Sequence, residues 1–194
     1  MKKELDEALC KEFPSIFRDR NAPMTETCMC WGIDVGDGWH GLIRAACLYV
    51  DNAIANARSN AIYEHKVKHG IAFELELPPG VLKQIGVDEM AVVAEQVKEK
   101  FGTLRFYWYG VGLPERTYSE ITGAVSMAEM LSVSTCEECG HPGELRGPGW
   151  LSTRCDAHSE GKATMEEYNA WVDELEKTGA APSAEAWNSR LEKA

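Results

Sequence analysis

Residues 136–158 read CEECGHPGELRGPGWLSTRCDAH, and no other stretch constrains the fold of this chain so tightly. Cys136-x2-Cys139 and Cys155-x2-His158 are two short pairs of sulfur and nitrogen donors, held apart by the 15 residues 140–154. Zinc takes four such donors in a tetrahedron, usually as two pairs flanking a loop. Gly140 follows the first pair, where a tight turn aims backbone amides at thiolate sulfur. HPGELRGPGW supplies turn formers for the loop. The spacing predicts a zinc knuckle holding one Zn2+ per chain through Cys136, Cys139, Cys155 and His158. The imidazole at the fourth place disfavours an iron–sulfur cluster. His141 competes with His158 only from an awkward position, directly after the first pair.

A catalytic zinc keeps one position open for water, whereas four protein ligands close the shell. The expected role is therefore structural: to pin the end of one helix to the start of another across a loop too small for its own core. No H-x-E stands with a P-C-x-x-C, as zinc nucleobase deaminases require. Phosphate-binding G-x-x-x-x-G-K-[ST], G-x-S-x-G and H-E-x-x-H patterns are absent too.

The other cysteines fit a reducing compartment. MKKELDEALC carries Glu4, Asp6 and Glu7 and lacks an apolar signal core. No apolar run approaches the roughly 20 residues that cross a bilayer. A cytoplasmic, membrane-free protein with reduced or metal-bound thiols is the expectation. Cys10 and Cys47 lie in apolar helical patterns and read as small buried hydrophobes. Cys28 and Cys30 form a C-x-C whose role, including any approach to the zinc, is open.

Hydrophobic periodicity gives an α+β fold: a small antiparallel sheet packed with a long helix, the zinc knuckle, and a C-terminal helical segment. The expected units are an α+β domain over 1–160 and a helical appendage over 161–194. Residues 2–13 read as a short amphipathic helix. TCMCWGI reads as a strand, and Trp39 through Ala61 repeats at three- and four-residue intervals as one helix, capped by Asp37 or Gly38 and ended by Gly70. IAFELEL alternates strictly and predicts a half-buried strand. MAVVAEQVKEKFGTLRFYWYG predicts a hairpin turning near Lys98–Gly102. Thr117 and Glu120 form a capping box for a helix with Ile121, Val125, Ala128 and Leu131 inward, and Met127 and Met130 read as core. Thr164 and Glu167 form a second capping box, and Ser183 caps a last helix through Trp187 and Leu191. Trp150 is expected to pack over the knuckle.

Two further groups could carry chemistry. GIDVGDGWH brings Asp34, Asp37, Trp39 and His40 to the mouth of the long helix, where carboxylates and an imidazole suit a hard metal or acid–base work. The simpler reading has Asp37 capping the helix and Asp34 shaping a turn. On the hairpin, Lys98, Lys100, Arg105 and Tyr107 mix cations with aromatics, as nucleotide-stacking surfaces do. Acidic residues outnumber basic ones by 31 to 20, a net charge of −11, which opposes general nucleic-acid binding through phosphates.

The segments MCWGIDVGDGW, QVKEKFGTLRFYW and CEECGHPGELRGPGWLSTRCDAH, in that order, resemble an uncharacterised family of small bacteriophage and prophage proteins with a CxxC…CxxH zinc knuckle. They fall within residues 29–158, about two-thirds of the chain. The resemblance implies a phage context, hence the host cytoplasm, and reinforces the knuckle on Cys136, Cys139, Cys155 and His158. It brings no catalytic residues.

Together these readings favour a zinc-stabilised binding protein that recognises or inhibits a host protein, or sequesters a nucleotide-like ligand. The alternative is a metal-dependent hydrolase or nuclease using Asp34, Asp37 and His40. A second alternative is a nucleic-acid-binding accessory protein using the knuckle with Lys98, Lys100 and Arg105.

Overall fold

The computed structural model describes residues 1–179 and 181–191. Leu9 and Phe13 stand four apart on helix α1 (Lys3–Glu12) and its C-cap, both buried, and Pro14 stops the helix. Asp6, only 5% exposed, takes Nε and Nη2 of Arg20 on one oxygen and the Ile33 amide on the other. One carboxylate thus ties α1 to the following turn and to strand β1 (Ile33–Asp34). TCMCWGI is not the strand its composition suggested. Cys28–Trp31 is a 3-10 turn, opened by the Thr27 hydroxyl accepting from the Met29 amide, and only the two residues of β1 pair with the sheet.

The long apolar stripe becomes one unbroken helix, α2 (His40–His69), about 45 Å long at 1.5 Å per residue. Gly70 ends it in the left-handed region at φ 64°, as a C-cap glycine does. Its start differs from expectation: Asp37 opens a 3-10 turn over Asp37–Trp39 and bonds no helix amide with its side chain. IAFELEL forms no strand. Phe73 and Leu75 are exposed, Phe73 stacks on Tyr63 at 5.3 Å, and Lys66 Nζ donates to the Phe73 carbonyl. A short helix, α3 (Pro79–Gln84), leads into the hairpin of β2 (Ala91–Lys100) and β3 (Thr103–Val111).

β1 pairs parallel to β2 and β2 antiparallel to β3, so this sheet is mixed rather than wholly antiparallel. A bulge between Ala94 and Gln96 shifts the register, and the Ala94 amide there donates to the Ile16 carbonyl. Val97, Leu104 and Phe106 turn inward against α4 (Glu115–Ser132), which packs on both β3 and α2. Ile121, Val125 and Ala128 of α4 are buried as expected. Leu131, Met127 and Met130 are instead exposed, and the N-cap is Pro114 rather than Thr117, which lies buried in the first turn.

The hairpin turns through Phe101 (φ 56°) and Gly102 (φ 77°), the two positive φ values of a type I′ turn. Phenylalanine in that region costs about 1–2 kcal/mol relative to a relaxed backbone. The turn is held nonetheless: Thr153 Oγ1 donates to the Gly102 carbonyl at 2.6 Å, and a Cβ on Gly102 would meet Leu145 and the Ser152 backbone.

That contact joins the hairpin to a second sheet, β5 (Ser152–Arg154), β4 (Glu144–Gly147) and β6 (Ala163–Thr164), all antiparallel in that spatial order. β6 runs into α5 (Met165–Thr178), whose N-terminus carries the expected capping box: the Thr164 hydroxyl accepts from the Glu167 amide and the Glu167 carboxylate from the Thr164 amide. Thr164→Ala should lower stability by about 1 kcal/mol in urea unfolding. The Ser183 hydroxyl accepts from the Ala186 amide and caps α6 (Ala184–Leu191). Trp171 and Trp187 form, with Ala163, a small hydrophobic cluster separate from the main core, Tyr168 packing against it. The helix runs through Trp187 and Leu191 as expected. The fold is α+β, and among the described residues no helix is long and apolar enough to cross a membrane.

Candidate metal centre

The first ligand pair follows α4. Thr135 bridges Pro142, the Cys136 amide donates to the His141 carbonyl at 2.7 Å, and the Gly140 amide returns to the Cys136 carbonyl at 2.9 Å. Gly140 has φ 75°, so a glycine there relieves the strain this reversal would impose on other residues. The second pair follows β5, where Asp156–His158 makes one 3-10 turn that folds His158 back toward Cys155.

The ligand atoms of Cys136, Cys139, Cys155 and His158 lie within 4.8 Å of one another, a group that could hold a metal ion. Tetrahedral zinc, with Zn–S of about 2.3 Å and Zn–N of about 2.0 Å, sets S···S at about 3.8 Å and S···N at about 3.5 Å. The corresponding separations are 3.7 Å for Cys139–Cys155, 3.8 Å for Cys136 Sγ to His158 Nδ1 and 3.2 Å for Cys155 Sγ to that same nitrogen. Three soft thiolates and one imidazole suit zinc in chemistry as well as spacing. Burial raises the Cys136 thiol, but the amides of Cys155, Cys139 and Glu138 outweigh it and bring the pKa to about 6. The peptide scaffold thus favours thiolate at this ligand before any cation contributes.

Glu137, between the first two ligands, anchors the knuckle to the rest of the molecule. It is 8% exposed. Its amide donates to the Thr153 carbonyl, its own carbonyl accepts from the Gly38 amide at 2.7 Å, and its Oε1 accepts from the Gly36 amide at 2.9 Å. Burial raises its carboxyl pKa, opposed by the Gly36 amide and by Arg154. Both glycines are sterically required. A Cβ on Gly36 would lie 2.8 Å from the Glu137 carbonyl carbon, and one on Gly38 would strike the Cys136 carbonyl, the Gly140 amide and the Cys139 amide. Arg146, 5% exposed, closes the other side by donating to the Arg154 and Lys162 carbonyls and to Asp156.

The mouth of α2 is therefore the seat of the knuckle. Trp39 is fully buried and its Nε1 donates to the Thr135 carbonyl at 2.7 Å, so it is a core anchor and not a surface for ligands. Asp37 binds both the amide and the ammonium of Lys2, which hold its carboxyl below the usual range. Asp34 is exposed on β1 and His40 half-buried at the start of α2. Among the described residues, Asp34, Asp37 and His40 do not form a group able to hold a metal, and Cys28 and Cys30 do not join the Cys3His cluster.

The hairpin residues do share a face. Lys98 lies opposite Arg105 and Lys100 opposite Thr103, while Lys98 Nζ sits 5.5 Å from the Tyr107 ring. Lys98, Lys100 and Arg105 form no ion pair among the described residues. Arg105 spends one donor on its neighbour's carbonyl. Tyr107 also lines a cavity of about 480 Å³ with Tyr109, Cys28, Asp19, Glu26 and Glu95. The hairpin is acidic-walled at that end and basic toward its tip. Trp150 does not cover the knuckle; it is 75% exposed.

No family model matches the chain, and no curated relative and no similar solved structure is found for it.

Proposed function

We propose that this is a zinc-stapled binding protein: Zn2+ in the Cys3His cluster is structural, and the outer face of the hairpin recognises an anionic, nucleotide-like ligand. The observation that carries this reading is the basic ladder of Lys98, Lys100 and Arg105. Like charges placed directly across a strand pair repel, and here Lys98 and Arg105 oppose each other with no acidic partner engaged among the described residues. In a chain of net charge −11, three unpaired cations beside aromatic rings are matched to an anion. Asp34, next to Lys98 across the β1–β2 pair, is exposed and makes no ion pair with it. The resemblance to phage proteins makes a host-derived ligand the natural candidate, bound in the host cytoplasm. A long polyanion is disfavoured by the overall charge.

Binding of a fluorescent nucleoside triphosphate analogue tests this reading. The affinity should fall with added salt, and Lys98→Ala combined with Arg105→Ala should weaken it about tenfold or more, since each charge-assisted contact is worth about 1.5–3 kcal/mol. Unchanged affinity in the double variant would contradict it. The hydrolase reading has less support, because Asp37 is engaged by Lys2. It predicts metal-dependent phosphodiester cleavage that Asp37→Ala abolishes.

A further inference from the structure

We propose that the cleft between the hairpin turn and the knuckle loop binds the base of a nucleoside phosphate, stacked against Phe101 and Trp150, with the phosphate held by Lys100. The inference rests on the anionic-ligand reading above and adds the ligand's aromatic half and its place.

The cleft has a volume of about 510 Å³, within the range of small-molecule sites, and is lined by Glu99, Lys100, Phe101, Gly149, Trp150 and Leu151. Its two rings are among the most exposed large apolar side chains described, Trp150 at 75% and Phe101 at 67%. Neither contributes to a hydrophobic core. Phe101 also occupies a backbone region that Asn would fill with less strain, in a turn for which Asn-Gly is the favoured pair. Backbone strain of this kind clusters at ligand contacts, and here it presents an exposed aromatic that lies outside both hydrophobic clusters.

Both walls are held firmly enough to form a site. The turn is pinned through the Gly102 carbonyl to Thr153. The Trp150 carbonyl accepts from Lys162 Nζ at 2.9 Å. Polarity inside the cleft is selective. Glu99 Oε1 accepts from the Gly102 amide, which ties that carboxylate to the turn, whereas Lys100 Nζ forms no ion pair among the described residues and lies 5.3 Å from the Phe101 ring centroid. Lys98 and Arg105 continue the positive charge along the hairpin. Stacking faces beside unpaired cations match an aromatic base joined to a phosphate. The short basic stretch fits one nucleotide rather than a strand.

Calorimetric titration of the zinc-loaded full chain with the four common ribonucleoside 5′-monophosphates, and with ribose 5-phosphate as the base-free probe, tests the assignment. At least one nucleotide should bind about tenfold or more tightly than ribose 5-phosphate, because stacking a base on an aromatic is worth a factor of this order. Trp150→Ala and Phe101→Asn should each remove most of that advantage. Phe101→Asn should at the same time raise Tm by about 2–4 °C through relief of the turn, so a folding defect cannot account for its lost affinity. Equal affinity for nucleotides and ribose 5-phosphate, or variants that bind nucleotide like the parent, would overturn the cleft. If Lys98→Ala with Arg105→Ala still weakens phosphate binding in that case, the hairpin-face reading stands alone. Absence of binding by every probe would overturn both.

Discussion

Cys139→Ser should empty the zinc site and lower Tm by more than about 10 °C. Cys139 is half-exposed, so the serine itself loses little packing, and the effect comes from the metal. Structural zinc binds finger peptides with an apparent free energy of about 10–16 kcal/mol at neutral pH. Here part of that is retained by the surrounding fold, and a loss of about 3–5 kcal/mol already shifts Tm by about 10 °C in a chain of this size. Zinc content should fall from about one per chain to near zero. The helical signal of α2 and α4 should persist at room temperature, because the main core is built from residues outside the knuckle. Chelation of the parent protein should give the same profile, and acidification should release the ion as thiolates and imidazole are protonated.

Gly38→Ala should be the most damaging small substitution outside the ligands. The added methyl meets three backbone groups of the first ligand pair, the Cys136 carbonyl and the amides of Gly140 and Cys139. Backbone cannot swing aside as a flexible side chain does, so the cost should reach about 3 kcal/mol, the upper end for inserting a methyl into a packed site. Zinc should also be lost more readily to a competing chelator, since the displaced amides belong to the turn that holds two ligands. Gly41→Ala, three residues on in α2, is the control. Nothing lies within 4 Å of its Cβ, and helix propensity should make it neutral or stabilising by up to about 1 kcal/mol. Urea unfolding of the two variants side by side measures the difference.

Much of this architecture is written in local pattern. The stripe from Ile43 to Ala57 needs no knowledge of its partners to be read as a helix, and the Thr164–Glu167 box is complete within four residues. The ligand set is legible for the same reason: each pair is short and chemically distinctive. IAFELEL shows where local pattern fails. Its alternation is real, but a strand needs a neighbour with free backbone groups. The described sheet orders, β1-β2-β3 and β5-β4-β6, do not include it. The segment instead leans on the end of α2 through Phe73 and Lys66.

Residues defined by close approach carry the weakest local signal. Asp34, Asp37, Trp39 and His40 resemble a reactive cluster because polar groups are crowded in sequence. Folding turns Trp39 inward onto Thr135 and gives Asp37 to Lys2, while the glycines between them take the contact with the knuckle. Gly36 and Gly38 let a distant backbone approach, because a Cβ on either would strike Glu137 or the Cys136–Gly140 turn. Glu137 stands beside Glu138 with nothing local to set it apart, yet its carboxylate accepts from the Gly36 amide at 2.9 Å from far along the chain. Nothing in one sequence marks such a partner. The local trace of it is two small residues spaced around an aspartate in GIDVGDGW.

X-ray absorption at the zinc edge of the purified full-length protein tests the closed metal centre most directly. A structural site made by Cys136, Cys139, Cys155 and His158 requires about one zinc per chain, with three sulfur neighbours at about 2.3 Å and one nitrogen at about 2.0 Å. A shell in which a water oxygen replaces one of these donors, or fully folded protein that carries no zinc, would contradict it.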